Sequence, residues 1–252
     1  MEKKVIIIAG ATSMIGRACI KTLDQAANIL ILLGKSNEKL NSLSRQIKCE
    51  SKFYVTDFTS ESQIQASIEA VRQSYKRIDA IVYNVAIYPL NKIENISIKE
   101  WQLTYETNLT GAFLLSKLSI PNFKKQKFGK IVYISSLAGP TIGVPYMSSY
   151  STTKAGLIGL MRTCAIELAP FNINVNAVSP GRIYDINNLS ANELSEKLRP
   201  MPFARFIEPE DIAHMVDFLI SNKAKNITGQ NMIIDGGQSI VGDTAHIKNH
   251  IC

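Results

Sequence analysis

The 252-residue sequence has only four cysteines, Cys19, Cys49, Cys164 and Cys252, and no Cys-x-x-Cys pair among them. That excludes a disulfide-stapled miniprotein and predicts free thiols in a reducing, cytoplasmic setting. No apolar run approaches the length needed to span a bilayer. Val5 to Ala9, preceded by Lys3 and Lys4, begins as a secretory signal would, but the run is too short and lacks a small-residue cleavage site. Linkers rich in Pro, Gly and Ser are missing, as are internal repeats, so residues 1–252 read as one domain. Acidic residues are in deficit, 21 against 28 basic, which leaves a formal charge of +7. Such an excess admits an acidic partner. The basic residues are dispersed, however, with no interleaved aromatic stripe, so neither a nucleic-acid groove nor membrane binding is expected. Histidine is scarce too. His246 and His250 with Cys252 form the one metal-like grouping, and its place in a polar tail at 238–252 predicts no metal site.

What the chain does contain is alternation. Short runs rich in Val and Ile recur at Val5–Ala9, Ile29–Leu33, Phe53–Val55, Ala80–Tyr83, Lys130–Ile134, Asn174–Val178 and Met232–Ile234, with helical periods between them. Several runs are apolar at consecutive positions, as parallel strands covered on both faces require. Ser60 with Gln63 reads as a capping box opening a helix to about Tyr75. Glu208-Pro209 starts another helix, and Pro170 ends a long one that begins near Ser149. The expected fold is therefore α/β: a Rossmann-type doubly wound parallel sheet of about seven strands with helices on both faces. The stretch 183–206 is the longest without regularity, apart from a short helix at Ala191–Leu198. Its position after the sixth strand suits a substrate lid.

After the first strand comes Gly10-Ala11-Thr12-Ser13-Met14-Ile15-Gly16, then a helix. Glycine there lets backbone approach a pyrophosphate, and the helix start offers unpaired N–H groups. Two glycines six residues apart also fit a tight turn without ligand. The second strand ends Leu33-Gly34-Lys35-Ser36, without the acid that would hold a ribose 2′-hydroxyl. Lys35 and Ser36 point instead to the 2′-phosphate of NADP(H), although a solvated lysine would look the same.

Tyr150 and Lys154 are spaced to share one face of a helix. A tyrosine working near neutrality needs its pKa lowered by roughly three units, about 4 kcal/mol, and a lysine one turn away can contribute to that. Alone the pair also fits an ordinary surface. Its company is more specific: the glycine turn, Asp57-Phe58, Thr107-Asn108-Leu109-Thr110-Gly111, Ser135-Ser136-Leu137-Ala138-Gly139, Ser179-Pro180-Gly181 and Asp235-Gly236-Gly237 occur in this order. With these motifs the sequence resembles the short-chain dehydrogenase/reductase family, in its single-domain branch, over nearly the whole chain.

The resemblance implies that Tyr150 is the general acid in carbonyl reduction and that Lys154 lowers its pKa and holds the nicotinamide ribose. It further implies that Ser136 orients the substrate oxygen and that Asn108 holds a relay water. Gly10, Ser13, Met14, Ile15, Asp57, Phe58, Asn84, Ala86, Pro180, Gly181 and Ile183 would line NADP(H) with Tyr150 and Lys154. The sequence also departs from the family pattern. Met14 replaces the middle glycine of the turn, Tyr83-Asn84-Val85-Ala86 replaces Asn-Asn-Ala-Gly, and Asp185 stands where a threonine is usual. Ser136 lies one residue farther from Tyr150 than usual, which keeps Ser135 in view.

Within the family, Lys154 to Gly159 and Pro202 to Phe206 look most like the 3-oxoacyl-carrier-protein reductases. Lys124, Lys125 and Lys127 would then greet an acidic acyl carrier protein, although Phe171 lacks the charge expected at its position. Trp101, Leu103, Leu109, Phe113, Leu114 and Leu118, with Leu157, Leu160 and Met161, make two helices apolar beyond one face, and the resemblance implies a homotetramer or dimer. The expected activity is NADPH-dependent reduction of a 3-oxoacyl thioester. A dehydrogenase/reductase of a small alcohol, sugar or secondary-metabolite carbonyl, and a non-catalytic NADP-binding regulatory or scaffold protein, stay open as alternatives.

Overall fold

The computed structural model describes residues 3–183, 190–198 and 201–241. Seven strands, β1 (Lys4–Ala9), β2 (Asn28–Gly34), β3 (Glu50–Val55), β4 (Ala80–Tyr83), β5 (Gly129–Ile134), β6 (Ile173–Pro180) and β7 (Asn231–Ile234), form one parallel sheet in the order β3-β2-β1-β4-β5-β6-β7. All seven expected strands are present. The chain turns from β1 toward β2 on one side and reaches β4 on the other, so the order reverses at the carboxyl ends of β1 and β4. Open α/β sheets form a ligand crevice at such a reversal.

Alternation along each strand divides the core into two layers. Val5, Ile7 and Ala9 face helices α3 (Glu61–Tyr75), α5 (Gly111–Gln126) and α6 (Ser148–Leu168). Ile6 and Ile8 face α1 (Met14–Leu23), α2 (Asn37–Ser44) and α8 (Pro209–Ile220). β1, β2, β4 and β5 are buried almost throughout, and each fully buried Ile or Leu contributes roughly 1.5–3 kcal/mol. Leu114, Leu157 and Met161 belong to this core and so are not part of an outer apolar face.

Helix ends follow local chemistry. The Ser60 hydroxyl accepts from the Gln63 N–H, but the Gln63 side chain accepts from the Asp57 N–H at 2.9 Å, so the expected capping box is only half made. Pro209 opens α8, with the Asp211 carboxylate accepting from the Glu208 N–H. Pro170 lies in the turn that follows α6. After β6 the described chain re-enters at Ser190, which caps α7 (Ala191–Leu198) through reciprocal bonds with Glu193. The short helix α4 (Ile98–Tyr105) runs through a π turn, Glu106–Thr110, into α5.

Candidate active site

The first turn is shaped by packing. Gly10 has φ +77°, and a Cβ on it would lie 3.0 Å from the Asn84 carbonyl carbon; a Cβ on Gly16 would run into the Gly10 carbonyl. These two glycines therefore let α1 close onto β1 and β4, whatever else binds there. The Ser13 hydroxyl caps α1 by accepting from the Gly16 N–H at 3.1 Å, and receives the Asn84 amide at 2.6 Å. Met14 begins the helix, 53% exposed. The departure from glycine thus places a thioether at the edge of a cleft of about 350 Å3.

That cleft brings together Ser13, Met14, Ile15, Asn84, Ala86, Ser136, Tyr150, Lys154, Pro180, Gly181 and Ile183, all named from sequence, with Ser135 beside them. It also contains Tyr88 and Met147, which sequence reasoning missed because both are loop residues without a motif of their own. A broader recess of about 600 Å3 lies across residues 146–148, lined by Asn91 to Glu94 and Gly143 to Tyr146, and it holds none of these reacting groups.

On α6, Tyr150 and Lys154 present to the cleft as an i, i+4 pair. Lys154 is 2% exposed, donates to the Ile134 carbonyl at 2.7 Å, and holds its ammonium 5.5 Å from the centre of the Tyr150 ring. Burial pushes the Lys154 amine down to about 7. Burial also holds the Tyr150 phenol above its usual range, against a hydrogen bond with Ser136 that lowers it and a smaller contribution from Tyr88 that raises it. Burial leads among the influences on the phenol, and the expected lowering of its pKa by Lys154 belongs to the functional proposal below.

The two serines separate by partner. The Ser135 hydroxyl is buried and donates to the Lys154 carbonyl at 2.9 Å, anchoring α6 to the end of β5. Ser136 accepts from the Ala138 N–H at 3.1 Å and meets the phenol. Asn108 is fully buried in the π turn and does not line the cleft. Its carboxamide accepts from the Ile87 N–H at 2.8 Å, donates to the Ile87 carbonyl at 2.9 Å, and donates to Thr153 at 3.1 Å. With these bonds the side chain ties the loop after β4 to α6. π turns recur where a helix is bent for function.

The remaining sequence candidates lie to the side. Lys35 pairs with Asp57 at 3.0 Å beyond the ends of β2 and β3. Burial tends to lift the Asp57 carboxyl, but hydrogen bonds from Thr59 and the pairing with Lys35 carry it below its ordinary value. Ser36 caps α2 by accepting from the Lys39 N–H. Phe58 is not brought to the cleft: it is 1% exposed and packs edge-on against Tyr83 with centroids 5.5 Å apart, because the core between β4 and α5 takes its ring. Asp185, His246, His250 and Cys252 lie outside the described residues. Among the described residues no group of His, Cys, Asp and Glu is arranged to hold a metal, and no helix is long and apolar enough to cross a membrane.

Comparison with known proteins gives this geometry a context. A family model described as Enoyl-(Acyl carrier protein) reductase matches residues 10–239. The 3-oxoacyl-acyl-carrier-protein reductase FabG of Aquifex aeolicus is 36% identical over 245 residues, covering 94% of this chain and 98% of the relative. The enzyme of the same name from Thermotoga maritima is 36% identical over the same shares. Among solved structures, a variant of actinorhodin polyketide ketoreductase with NADPH superposes with a TM-score of 0.89 at 27% identity, covering 96% of this chain and 100% of that one.

Proposed function

Because the chain belongs to the short-chain dehydrogenase/reductase family, we propose that it is an NADPH-dependent ketoreductase that reduces a 3-oxoacyl thioester to the 3-hydroxyacyl thioester. The observation that carries this reading is the meeting of the Tyr150 phenol, the Ser136 hydroxyl and the Lys154 amine in one cleft at the sheet's topological reversal.

The residues fit the dinucleotide. The α1 terminus opens on the cleft with no acidic residue in its first turn, and Lys35 is the cation beside the end of β2. Ser13, Met14, Ile15 and Asn84 would hold the pyrophosphate end, Lys35 and Ser36 the 2′-phosphate, and Pro180, Gly181 and Ile183 the nicotinamide end. When bound, NADPH supplies the hydride. Tyr150 donates its proton to the carbonyl oxygen as that oxygen gains charge, and its raised pKa keeps the proton in place until then. Ser136 donates to the same oxygen and fixes its direction. Lys154 stabilises the phenolate left behind, and Asn108 holds the helix carrying both groups against the loop after β4.

The finer partner in this reading is an acidic acyl carrier protein. Lys124, Lys125 and Lys127 are exposed together at the end of α5, and the Lys124 ammonium sits 4.3 Å over the Phe171 ring. Lys124 thereby supplies the charge that Phe171 lacks. Trp101, Leu103 and Phe113 stay exposed on α4 and α5 and support a homodimer or homotetramer.

The test follows NADPH and NADH oxidation with a 3-oxoacyl thioester and with simple ketones. Thioester turnover that favours NADPH is expected, whereas turnover of ketones alone rejects the reading. Tyr150→Phe should lower kcat by about 10^3-fold or more while NADPH binding persists. Charge reversal at Lys124, Lys125 and Lys127 should raise KM for carrier-bound substrate by about tenfold and spare a small thioester. Equal effects on both substrates would remove the carrier patch from the proposal.

A further inference from the structure

The loop between β4 and α4 is pinned at both ends. At Ile87 the Asn108 carboxamide takes both backbone groups, at 2.8 and 2.9 Å. At Asn91 the N–H donates to the Tyr146 carbonyl at 3.0 Å, and the side chain donates to Glu100 at 2.7 Å. Between these pins stands Tyr88, 66% exposed, its ring edge-to-face on Tyr150 with centroids 6.2 Å apart and planes at 79°. Asn108 also reaches Thr153, whose hydroxyl donates to the Tyr150 carbonyl at 2.7 Å. One buried amide thus fixes the backbone that carries Tyr88 and the helix that carries Tyr150, and the two rings meet across the cleft.

Resting on the ketoreductase reading above, we propose that Tyr88 is a positioning and specificity-determining residue: its ring sets the orientation of the Tyr150 phenol and walls the side of the cleft where the substrate carbon chain lies. A large aromatic exposed at the mouth of a cleft is costly to leave in water, and a loop pinned on both sides loses little further entropy when a chain packs on it. Edge-to-face contact holds a ring direction as well as excluding water. Among the described residues, the polar groups that meet Tyr150 in the cleft are Lys154 from its own helix, Ser136 from the end of β5 and Tyr88 from the loop. Tyr88 brings an aromatic face to the cleft, beside the apolar side chains of Met14, Ile15, Met147 and Ile183.

The test needs Tyr88→Ala and Tyr88→Phe, and exposure of the side chain makes both compatible with folding. Tyr150 is titrated directly as the tyrosinate absorbance difference between each protein and the same protein carrying Tyr150→Phe, so this arm requires no substrate. In Tyr88→Ala the Tyr150 transition should fall by about one pH unit as water enters. kcat for the thioester should drop by about tenfold, KM should rise for longer acyl chains more than for short ketones, and NADPH affinity should stay within twofold. Tyr88→Phe should restore all of these. An unmoved Tyr150 transition in Tyr88→Ala, a Tyr88→Phe variant as impaired as Tyr88→Ala, or a loss confined to NADPH binding would each overturn the proposal. Failure of the ketoreductase reading shows separately, as a parent protein that turns over no thioester while the tyrosinate titration still reports on Tyr88.

Discussion

Two buried lysines rest against opposite ends of β5, and they have little else in common. Lys130 and Lys154 are each 2% exposed, and neither has a carboxylate partner among the described contacts. Lys130, near the strand's start, donates to the Asn174 amide oxygen at 2.6 Å, and Asn174 spends its own amide on the Lys225 and Ile227 carbonyls. Lys154 donates to the carbonyl of Ile134, the strand's last residue. Burial lowers both amines, joined at Lys130 by the charge of Lys4. A perturbed, buried amine is therefore not in itself a sign of chemistry. The difference lies in the neighbours: Lys154 shares a cleft with a phenol and a hydroxyl, whereas Lys130 is enclosed by a structural amide that ties β6 to the loop before β7.

The comparison breaks most sharply at Lys154→Met. Turnover should fall by about 10^3-fold. Stability should move the other way. An amine at about 7 in the folded chain and 10.5 when unfolded binds fewer protons folded than unfolded between those values. Folding then carries a penalty on the order of 5 kcal/mol that is fully present below pH 7 and relieved as pH rises toward 10.5. Methionine removes that penalty but leaves the Ile134 carbonyl without its donor, a loss of about 1–3 kcal/mol. Thermal melts should show Lys154→Met more stable than the parent at pH 6, with the gap closing as pH rises. A variant less stable at every pH would show that the ammonium stabilises the fold.

Much of this contrast was legible in the sequence, and the reasons differ by element. The strands could be read because β-branched residues occupy consecutive positions wherever both faces are covered. β3 was the exception: it begins at Glu50 rather than Phe53, since an edge strand needs apolar residues on one face only, and its first three residues are polar. Helix spacing put Tyr150 and Lys154 on one face, but it was the family resemblance carried by the ordered motifs that singled out this pair and Ser136. The bond from Ser135 to the Lys154 carbonyl depends on how α6 docks, so no local pattern could divide the two serines. The π turn around Asn108 and the ring contact of Tyr88 arise from tertiary fit. Phe58 misled because a motif position does not say which way a side chain turns.

Lys130→Met is the matching substitution at the other end of the strand. It removes a buried charge but leaves the Asn174 oxygen unpaired, so the two effects oppose one another. Turnover should stay within twofold, net stability at pH 7 should change by about 1 kcal/mol or less, and the rise of stability with alkaline pH should flatten. Loss of turnover comparable to Lys154→Met would erase the distinction between the two lysines.

The smallest expected effect concerns why Lys130 is depressed. Burial comes first, and Lys4 adds like charge from the start of β1. Lys4→Gln removes only the second cause. The Lys130 amine should then move back toward its ordinary value, and because its charged form becomes easier to keep, the folded chain should gain a few tenths of a kcal/mol at neutral pH. The gain should fade above the pH at which Lys130 loses its proton. Lys4 is partly solvated, so the gain should also shrink at high ionic strength, where the screening length drops to about 3 Å. Urea melts of the parent and Lys4→Gln at low and high salt separate the two causes. A gain that ignores salt would place its origin in packing around β1, and no gain at all would leave burial as the sole reason that Lys130 is depressed.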